Sequence, residues 1–243
     1  MKKSLIDARF QEAVQHFWNS RVSALADQKA RGVTDAGGRG SVTANVQMRL
    51  LEKLVADTLS DLGLDATCIK TKSSIELPGY YRPEKQWDLL VVADGKLLCA
   101  LEFKSQVGPS FGNNFNNRVE EAIGSASDVW IAYREGRFGK THRPFLGYFF
   151  LLEDCPKVHN PVRVAQSHFP VDPIFEGSSY AKRYQILCER LLLERLYDTA
   201  CFTIATNSDP TLIKHPSKEL SFNKFISQLR GSVTSFLEGE LFG

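Results

Sequence analysis

Trp87-Asp88-Leu89-Leu90-Val91-Val92-Ala93-Asp94-Gly95-Lys96-Leu97-Leu98-Cys99-Ala100-Leu101-Glu102-Phe103-Lys104 is the stretch that decides the fold. Two apolar runs flank Asp94-Gly95, a turn dipeptide, and together they read as a β-hairpin. Strands this apolar belong in a core, yet they carry Asp88, Glu102 and Lys104. Burying charge is costly unless it is paired or binds metal. These three residues therefore need a reason to be there.

Spacing offers one. Residues two apart in a strand share a face, so Glu102 and Lys104 point the same way. Asp88 joins them only if the turn permits. A strict two-residue loop pairs Ala93 with Lys96 and sets Asp88 opposite Leu101, on the wrong face. A three-residue loop, Ala93 to Gly95 with Gly95 left-handed, pairs Val92 with Lys96. Asp88 then faces Ala100, with Glu102 as its diagonal neighbour on one face. The expectation is that odd-length loop, or a bulge of the same effect. Two carboxylates and an amine then converge. Hard oxygen ligands suit magnesium, which takes one or two carboxylates plus waters and substrate phosphate. Such a metal offsets charge on a phosphoryl oxygen and lowers the pKa of a bound water. The competing account is a buried salt-bridge triad without chemistry.

Outward from the hairpin, the upstream chain reads as follows. Leu5 to Leu25 is expected as a helix with Phe10, Val14, Phe17 and Leu25 at helical spacing. Gln28 to Ser41, rich in glycine and carrying Lys29, Arg31 and Arg39, is expected as a flexible, solvated connection. Thr43 to Leu62 reads as a second helix ended by Gly63. Glu52 and Asp57 on its flanks could assist a site, though a solvated helix charge is the expectation for each. Cys68 to Leu77 alternates cleanly and predicts one half-exposed strand. Tyr80, Tyr81, Arg82, Lys85 and Trp87 then interleave aromatic and basic side chains before Asp88.

Downstream, Ser105 to Phe115 reads as a loop. Val119, Ile123, Ala126, Trp130 and Tyr133 predict a helix from about Asn116 to Glu135. Phe145 to Leu152, nearly all apolar, predicts a strand buried on both faces. Asp154 to Gly177 carries Pro156, Pro161, Pro170 and Pro173 and reads as irregular, with His159 and His168 packing turns. Ser179 to Thr206 is expected as one long helix, Asn207 to Ser217 as a loop, and Ser221 to Leu241 as an amphipathic helix. The core order of helix, three strands, helix and strand gives an α/β fold with a mixed central sheet flanked by helices.

The cluster Asn113, Asn114, Asn116, Asn117 and Arg118 follows the strand of Glu102 and Lys104 and opens the next helix. Asparagine can pair bidentately with adenine and arginine with guanine, each worth roughly 1–3 kcal/mol of discrimination. Asparagine equally suits turns and caps, and composition alone does not choose between the two. Arg134, Arg137, Lys140 and Arg143 add a basic run suited to phosphates.

Composition sets bounds. A chain of 243 residues, 43% hydrophobic and 24% charged, is an ordinary globular composition. A net charge of +2 neither announces nucleic-acid binding nor excludes it. Cys68, Cys99, Cys155, Cys188 and Cys201 lack Cys-x-x-Cys spacing, which argues against a zinc site or disulfide framework and fits a reducing cytoplasm. Charges interrupt the start after Met1-Lys2-Lys3, so no signal peptide is expected. No run approaches the roughly 18 apolar residues of a membrane span.

Asp88, fourteen residues, then Glu102-Phe103-Lys104 resembles the PD-(D/E)XK nuclease signature, with Trp87 in place of the proline usual before the aspartate. A longer match is more specific. Leu77-Pro78-Gly79-Tyr80-Tyr81-Arg82-Pro83, Trp87-Asp88-Leu89-Leu90 and Glu102 through Arg118 closely resemble the XhoI family of type II restriction endonucleases. So do Ser167-His168-Phe169-Pro170-Val171 and Ser179-Tyr180-Ala181-Lys182-Arg183-Tyr184. The resemblance implies a restriction-endonuclease-like αβββαβ core within a single domain. Residues 1–42 would be an N-terminal helix and flexible loop, 43–153 the catalytic core, and 154–243 a C-terminal helical part. It further implies catalytic Asp88, Glu102 and Lys104, and Mg2+ on Asp88, Glu102 and the Phe103 carbonyl. The substrate would be double-stranded DNA at the palindrome CTCGAG, cut between the first C and T to leave a 5′ overhang. A two-fold target implies a homodimer. Beside the nuclease motif, DNA contact is the expectation for Asn113, Asn114, Asn116, Asn117 and Arg118. Only in that context would the Gln28 to Ser41 connection order on DNA phosphates. The alternatives are a PD-(D/E)XK nuclease of another role, in repair or structure-specific cleavage, and a non-catalytic DNA-binding module.

Overall fold

The structure, a computed structural model, describes residues 1–30, 40–139, 142–166 and 168–242. Its centre is a six-stranded mixed sheet in the order β1-β4-β5-β6-β7-β8. The strands are β1 (Ile69–Lys70), β4 (Leu89–Ala93), β5 (Lys96–Gln106), β6 (Phe145–Glu153), β7 (Thr199–Ala205) and β8 (Ile213–Lys214). Strand β5 is antiparallel to β4 and parallel to β6. Strand β7 continues parallel to β6, and the short β1 and β8 close the edges antiparallel. A separate hairpin of β2 (Glu76–Pro78) and β3 (Glu84–Gln86) leads into β4. The helices are α1 (Lys3–Ala30), α2 (Gly40–Ser60), α3 (Phe111–Arg134), α4 (Pro156–His159), α5 (Tyr180–Leu193) and α6 (Phe222–Phe242). This is a restriction-endonuclease-like α/β architecture.

Alternation along the strands builds two cores. Leu89, Val91, Cys99, Leu101, Phe103, Phe149 and Leu151 face α1, α2 and α6, where Phe10, Phe17, Leu51, Val55, Phe222 and Phe225 meet them. Leu90, Ala100, Leu146, Tyr148, Phe150 and Phe202 face the other way, against Ala126, Val129, Tyr184 and Leu187 of α3 and α5. The central strands β6 and β7 are buried on both faces, as parallel strands under two helical layers must be.

Of the two expected solutions for the decisive hairpin, an odd-length loop or a bulge of the same effect, the structure takes the bulge. Asp94 and Gly95 both take positive φ, 50° and 71°, and form a two-residue loop that pairs Ala93 with Lys96. The parity is restored further down: Val92 pairs with Leu97 but Val91 pairs with Cys99. Leu98 is the extra residue of a bulge, so Leu98 and Cys99 both enter the same core while Leu97 enters the other. Below it Leu89 pairs with Leu101. One step further, Asp88 stands across from Glu102 itself, not diagonal to it.

Other boundaries also moved. The alternation of Cys68 to Leu77 yields β1 and β2 separated by bends, with Ser74 at φ 56°, because only two short pieces find a partner strand. Strand β5 runs on to Gln106 and α3 begins at Phe111, so the expected loop Ser105 to Phe115 shrinks to a few residues. The expected helix Ser179 to Thr206 ends at Leu193 and is followed by β7. Arg195 at φ 54° makes the break, with the amides of Leu196 and Tyr197 turning back onto the Leu191 carbonyl. Residues 154–243, expected as helical, thus also complete the sheet with β7 and β8. The Asn207 to Ser217 loop contains β8. Of the Gln28 to Ser41 connection, residues 31–39, with Arg31 and Arg39, lie outside the described residues, as does Lys140.

Candidate active site

The structure brings Asp88, Glu102 and Lys104 together where β4 begins beside β5. The Phe103 amide donates to Asp88 Oδ2 at 2.7 Å, which fixes that carboxylate against the strand. Lys104 Nζ lies 3.9 Å from Asp88 Oδ2 and contacts Glu102 Oε1 directly. Glu102 is 5% exposed. The Phe103 side chain is buried in the core, so only its backbone faces this site. A cleft of about 610 Å³ opens over Glu102 and Lys104, bounded by Met48, Arg82, Lys85, Arg118, Glu121 and Ser125; Asp88 lies outside its lining.

Burial and mutual repulsion set the charges here. Burial raises the Asp88 carboxyl, the neighbouring Glu102 raises it further, and Lys104, the Phe103 amide and Lys85 offset only part of this. Burial also opposes the Glu102 charge, but Lys104 and Lys85 outweigh it and hold that carboxyl below its usual range. For Lys104, burial works against the charge and is overcome by Glu102 and Asp88, so the ammonium is held above its usual range.

Two further charged residues act on these three. Glu52 was expected to be a solvated helix charge. It is instead buried on α2, 8% exposed, and its pKa is raised to about 8 by burial and then by Asp88, against Arg49 and Lys104. Its position three residues before Val55 and seven before Leu59 places it on their buried stripe, a signal present in the sequence. Asp57 meets the expectation of a surface charge, pairing with Arg9 at 2.6 Å and Lys53 at 2.8 Å. The second residue is Lys85 of β3, whose Nζ is 2.5 Å from Glu102 Oε2 and 4.2 Å from the centre of the Trp87 ring.

The hairpin that carries Lys85 is anchored from α3. Asp128, 2% exposed, accepts the amides of Tyr80 at 2.6 Å and Tyr81 at 2.9 Å and the Arg82 Nε at 2.7 Å. A Cβ on Gly79 would lie 2.6 Å from Asp128 Oδ2 and 2.7 Å from the Arg82 carbonyl, so the turn needs glycine for this close approach.

The asparagine cluster lies within the first two turns of α3, opening the helix as expected. Arg118 reaches the cleft, where it pairs with Glu121 and leaves its Nε buried without a partner. Asn114 lies one turn earlier on the same side. Asn113, Asn116 and Asn117 are exposed, and Asn116 borders a different groove beside α5. Ser110 is the N-cap residue and no side-chain bond caps the helix. Arg134 and Arg143 line a separate groove of about 1020 Å³ that contains none of Asp88, Glu102 or Lys104. There Arg143 pairs with Asp198 and stacks 4.0 Å from the Trp130 ring centre, so it is engaged internally. His159 packs its turn as expected, 2.6 Å from Asp154.

A mixed sheet between helical layers, with two carboxylates and a lysine on adjacent strands, marks the class as restriction-endonuclease-like. The model of the restriction endonuclease XhoI family matches residues 27–215, and the chain belongs to that family. It is 44% identical over 208 residues to the type II restriction enzyme BstVI of Geobacillus stearothermophilus, covering 83% of this chain and 93% of that one. It is 47% identical over 183 residues to the type II restriction enzyme XhoI of Xanthomonas vasicola, covering 74% and 73% of the two chains. The type II restriction enzyme AbrI of Azospirillum brasilense is 47% identical over 164 residues, 67% of this chain and 73% of its own. No solved structure matches the chain. Among the described residues, no helix is long and apolar enough to cross a membrane.

Proposed function

We propose that this chain hydrolyses double-stranded DNA at the palindrome CTCGAG with Mg2+, leaving a 5′ overhang, as a cytoplasmic homodimer with one site per strand. The observation that carries this reading is the convergence of Asp88, Glu102 and Lys104 on one face, in a chain of the XhoI family.

The donor chemistry suits a hard cation. Among the described residues no three His, Cys, Asp or Glu gather in a group set for a metal. Magnesium, however, commonly takes only one or two carboxylates and completes its shell with water and phosphate. Asp88 and Glu102 would hold it, with the Phe103 carbonyl, and the repulsion that raises Asp88 is what a cation relieves. Bound there, magnesium supplies Lewis acidity that makes a water more acidic and offsets charge on the phosphate. Lys104, kept cationic by its two carboxylates, orients the attacking water or shares the phosphate's charge. The water attacks phosphorus in line, leaving a 5′-phosphate and a 3′-hydroxyl. Arg118, with Asn113, Asn114, Asn116 and Asn117, contacts DNA from the first turns of α3.

The test is cleavage of a plasmid with one CTCGAG site beside a site-free plasmid, with magnesium, and sequencing of the ends. One cut at that site, with the overhang stated, supports the proposal. Cutting of both plasmids indicates a nuclease of another role. No cutting with magnesium or manganese indicates a DNA-binding module.

A further inference from the structure

Glu102 is held by two lysines, and the proposed chemistry uses only one of them. Lys104 takes Oε1; Lys85 takes Oε2 at 2.5 Å. A lysine in a short surface hairpin ordinarily extends its ammonium into water. The neighbours of Lys85 in β3, Glu84 and Gln86, are exposed, yet the Lys85 side chain is 13% exposed and turned inward. Its ammonium also donates to the Gln86 carbonyl at 3.0 Å. The hairpin is placed independently by the Asp128 contacts on α3, so Lys85 is delivered to Glu102 by the fold rather than by a wandering loop.

An ammonium seated on Oε2 and a divalent cation compete for the same oxygen, and the repulsion of their like charges disfavours both holding it at once. Magnesium needs its oxygen at about 2.0–2.1 Å and tolerates little distortion. The four-carbon stem of lysine can swing while the hairpin stays fixed. Arg82 and Arg118 line the same cleft together with Glu120 and Glu121, so an ammonium leaving Glu102 stays beside the two arginines that could hold a DNA phosphate. We propose that Lys85 is a functional residue of this site: it neutralises Glu102 until a divalent cation displaces it, and the released ammonium then contacts the DNA backbone. This rests on the assignment of Glu102 as a metal ligand.

The test uses the full-length, DNA-free protein. Mn2+ affinity is measured by electron paramagnetic resonance for wild type, Lys85→Met and Glu102→Ala. Lysine acylation is followed by mass spectrometry in wild type with and without Mn2+. The expected result is Mn2+ binding roughly tenfold tighter in Lys85→Met, with Lys85 acylation rising several-fold when wild type takes up Mn2+. Unchanged or weaker affinity in a Lys85→Met protein that unfolds like wild type overturns the proposal. Tighter binding with unchanged Lys85 acylation also overturns it, because the lysine then acts through space and is not displaced. If Lys85→Met does not fold, the acylation result in wild type decides alone. Wild-type Mn2+ affinity in Glu102→Ala is a separate failure, of the metal assignment itself, and takes this proposal with it.

Discussion

Asp128 on α3 holds Arg82 of the β2–β3 turn at 2.7 Å, and the same carboxylate accepts two amides of that turn. Removing it leaves three donors without their partner. Asp128→Ala is expected to cost about 2–4 kcal/mol of stability, the range for buried charged hydrogen bonds, and to lower cleavage by loosening the Lys85 hairpin. Gly79→Ala is expected to act in the same direction. Urea unfolding and the plasmid assay check both; wild-type stability in Asp128→Ala would refute the anchor.

The Asp128 carboxyl is held low: burial raises it, but the Arg82 bond and the Tyr81 and Tyr80 amides outweigh this. A depressed folded value means the stabilisation is full above the unfolded value near 4 and is lost as pH falls through the folded value. The wild-type protein should therefore lose its stability advantage over Asp128→Asn in acid below about pH 4. Unfolding measured at pH 3 and pH 7 tests this.

Glu52 has the opposite sign. Its folded pKa is raised from 4.5 to about 8, so the folded state is increasingly penalised as pH rises from 4.5 to about 8. Glu52→Gln should match wild type near pH 4 and exceed it near pH 9, by on the order of a few kcal/mol without divalent metal. Equal stability of the two proteins at pH 9 would contradict the buried placement.

Glu102→Ala and Lys104→Ala are each expected to lower cleavage by at least about 10²-fold while specific DNA binding persists. Chelation of divalent metal should stop cleavage and added magnesium restore it. Full activity in either variant removes these residues from the chemistry.

Arg118, with its buried and unpartnered Nε, should contact a backbone phosphate. Arg118→Ala is expected to weaken binding across sequences and to reduce the slope of log K against log salt by about 1. An unchanged slope, measured by salt titration of fluorescence anisotropy, would count against the contact.

The sequence was most informative where one residue pattern had one physical solution. Glu102 and Lys104 in an apolar strand demanded partners; parity gave the face they share, and placing Asp88 on it took the bulge at Leu98. Thr199 to Ala205 was misread because all seven residues are buried, so no alternation separates them from the apolar stripe of α5. The break before them rests on Arg195, with neither glycine nor proline to announce it. The alternation of Cys68 to Leu77 was real but reported exposure, and a strand also needs a neighbour to bond. Lys85 stands out in the aromatic and basic run before Asp88, but nothing in the chain announces its pairing with Glu102, 17 residues on, and Asp128 carries no signal because Arg82 lies 46 residues away.

The Leu98 bulge gives the β4–β5 hairpin an arithmetic of its own. Side chains alternate every residue, so adding or deleting a single residue between Val92 and Leu98 would turn Asp88 away from Glu102 while leaving the turn itself well formed. Changes in pairs would preserve the encounter. The hairpin can thus change length only by even steps, with residues that accept positive φ at its tip, and odd-length variants should lose the pairing of Asp88 with Glu102 along with the register of one buried strand.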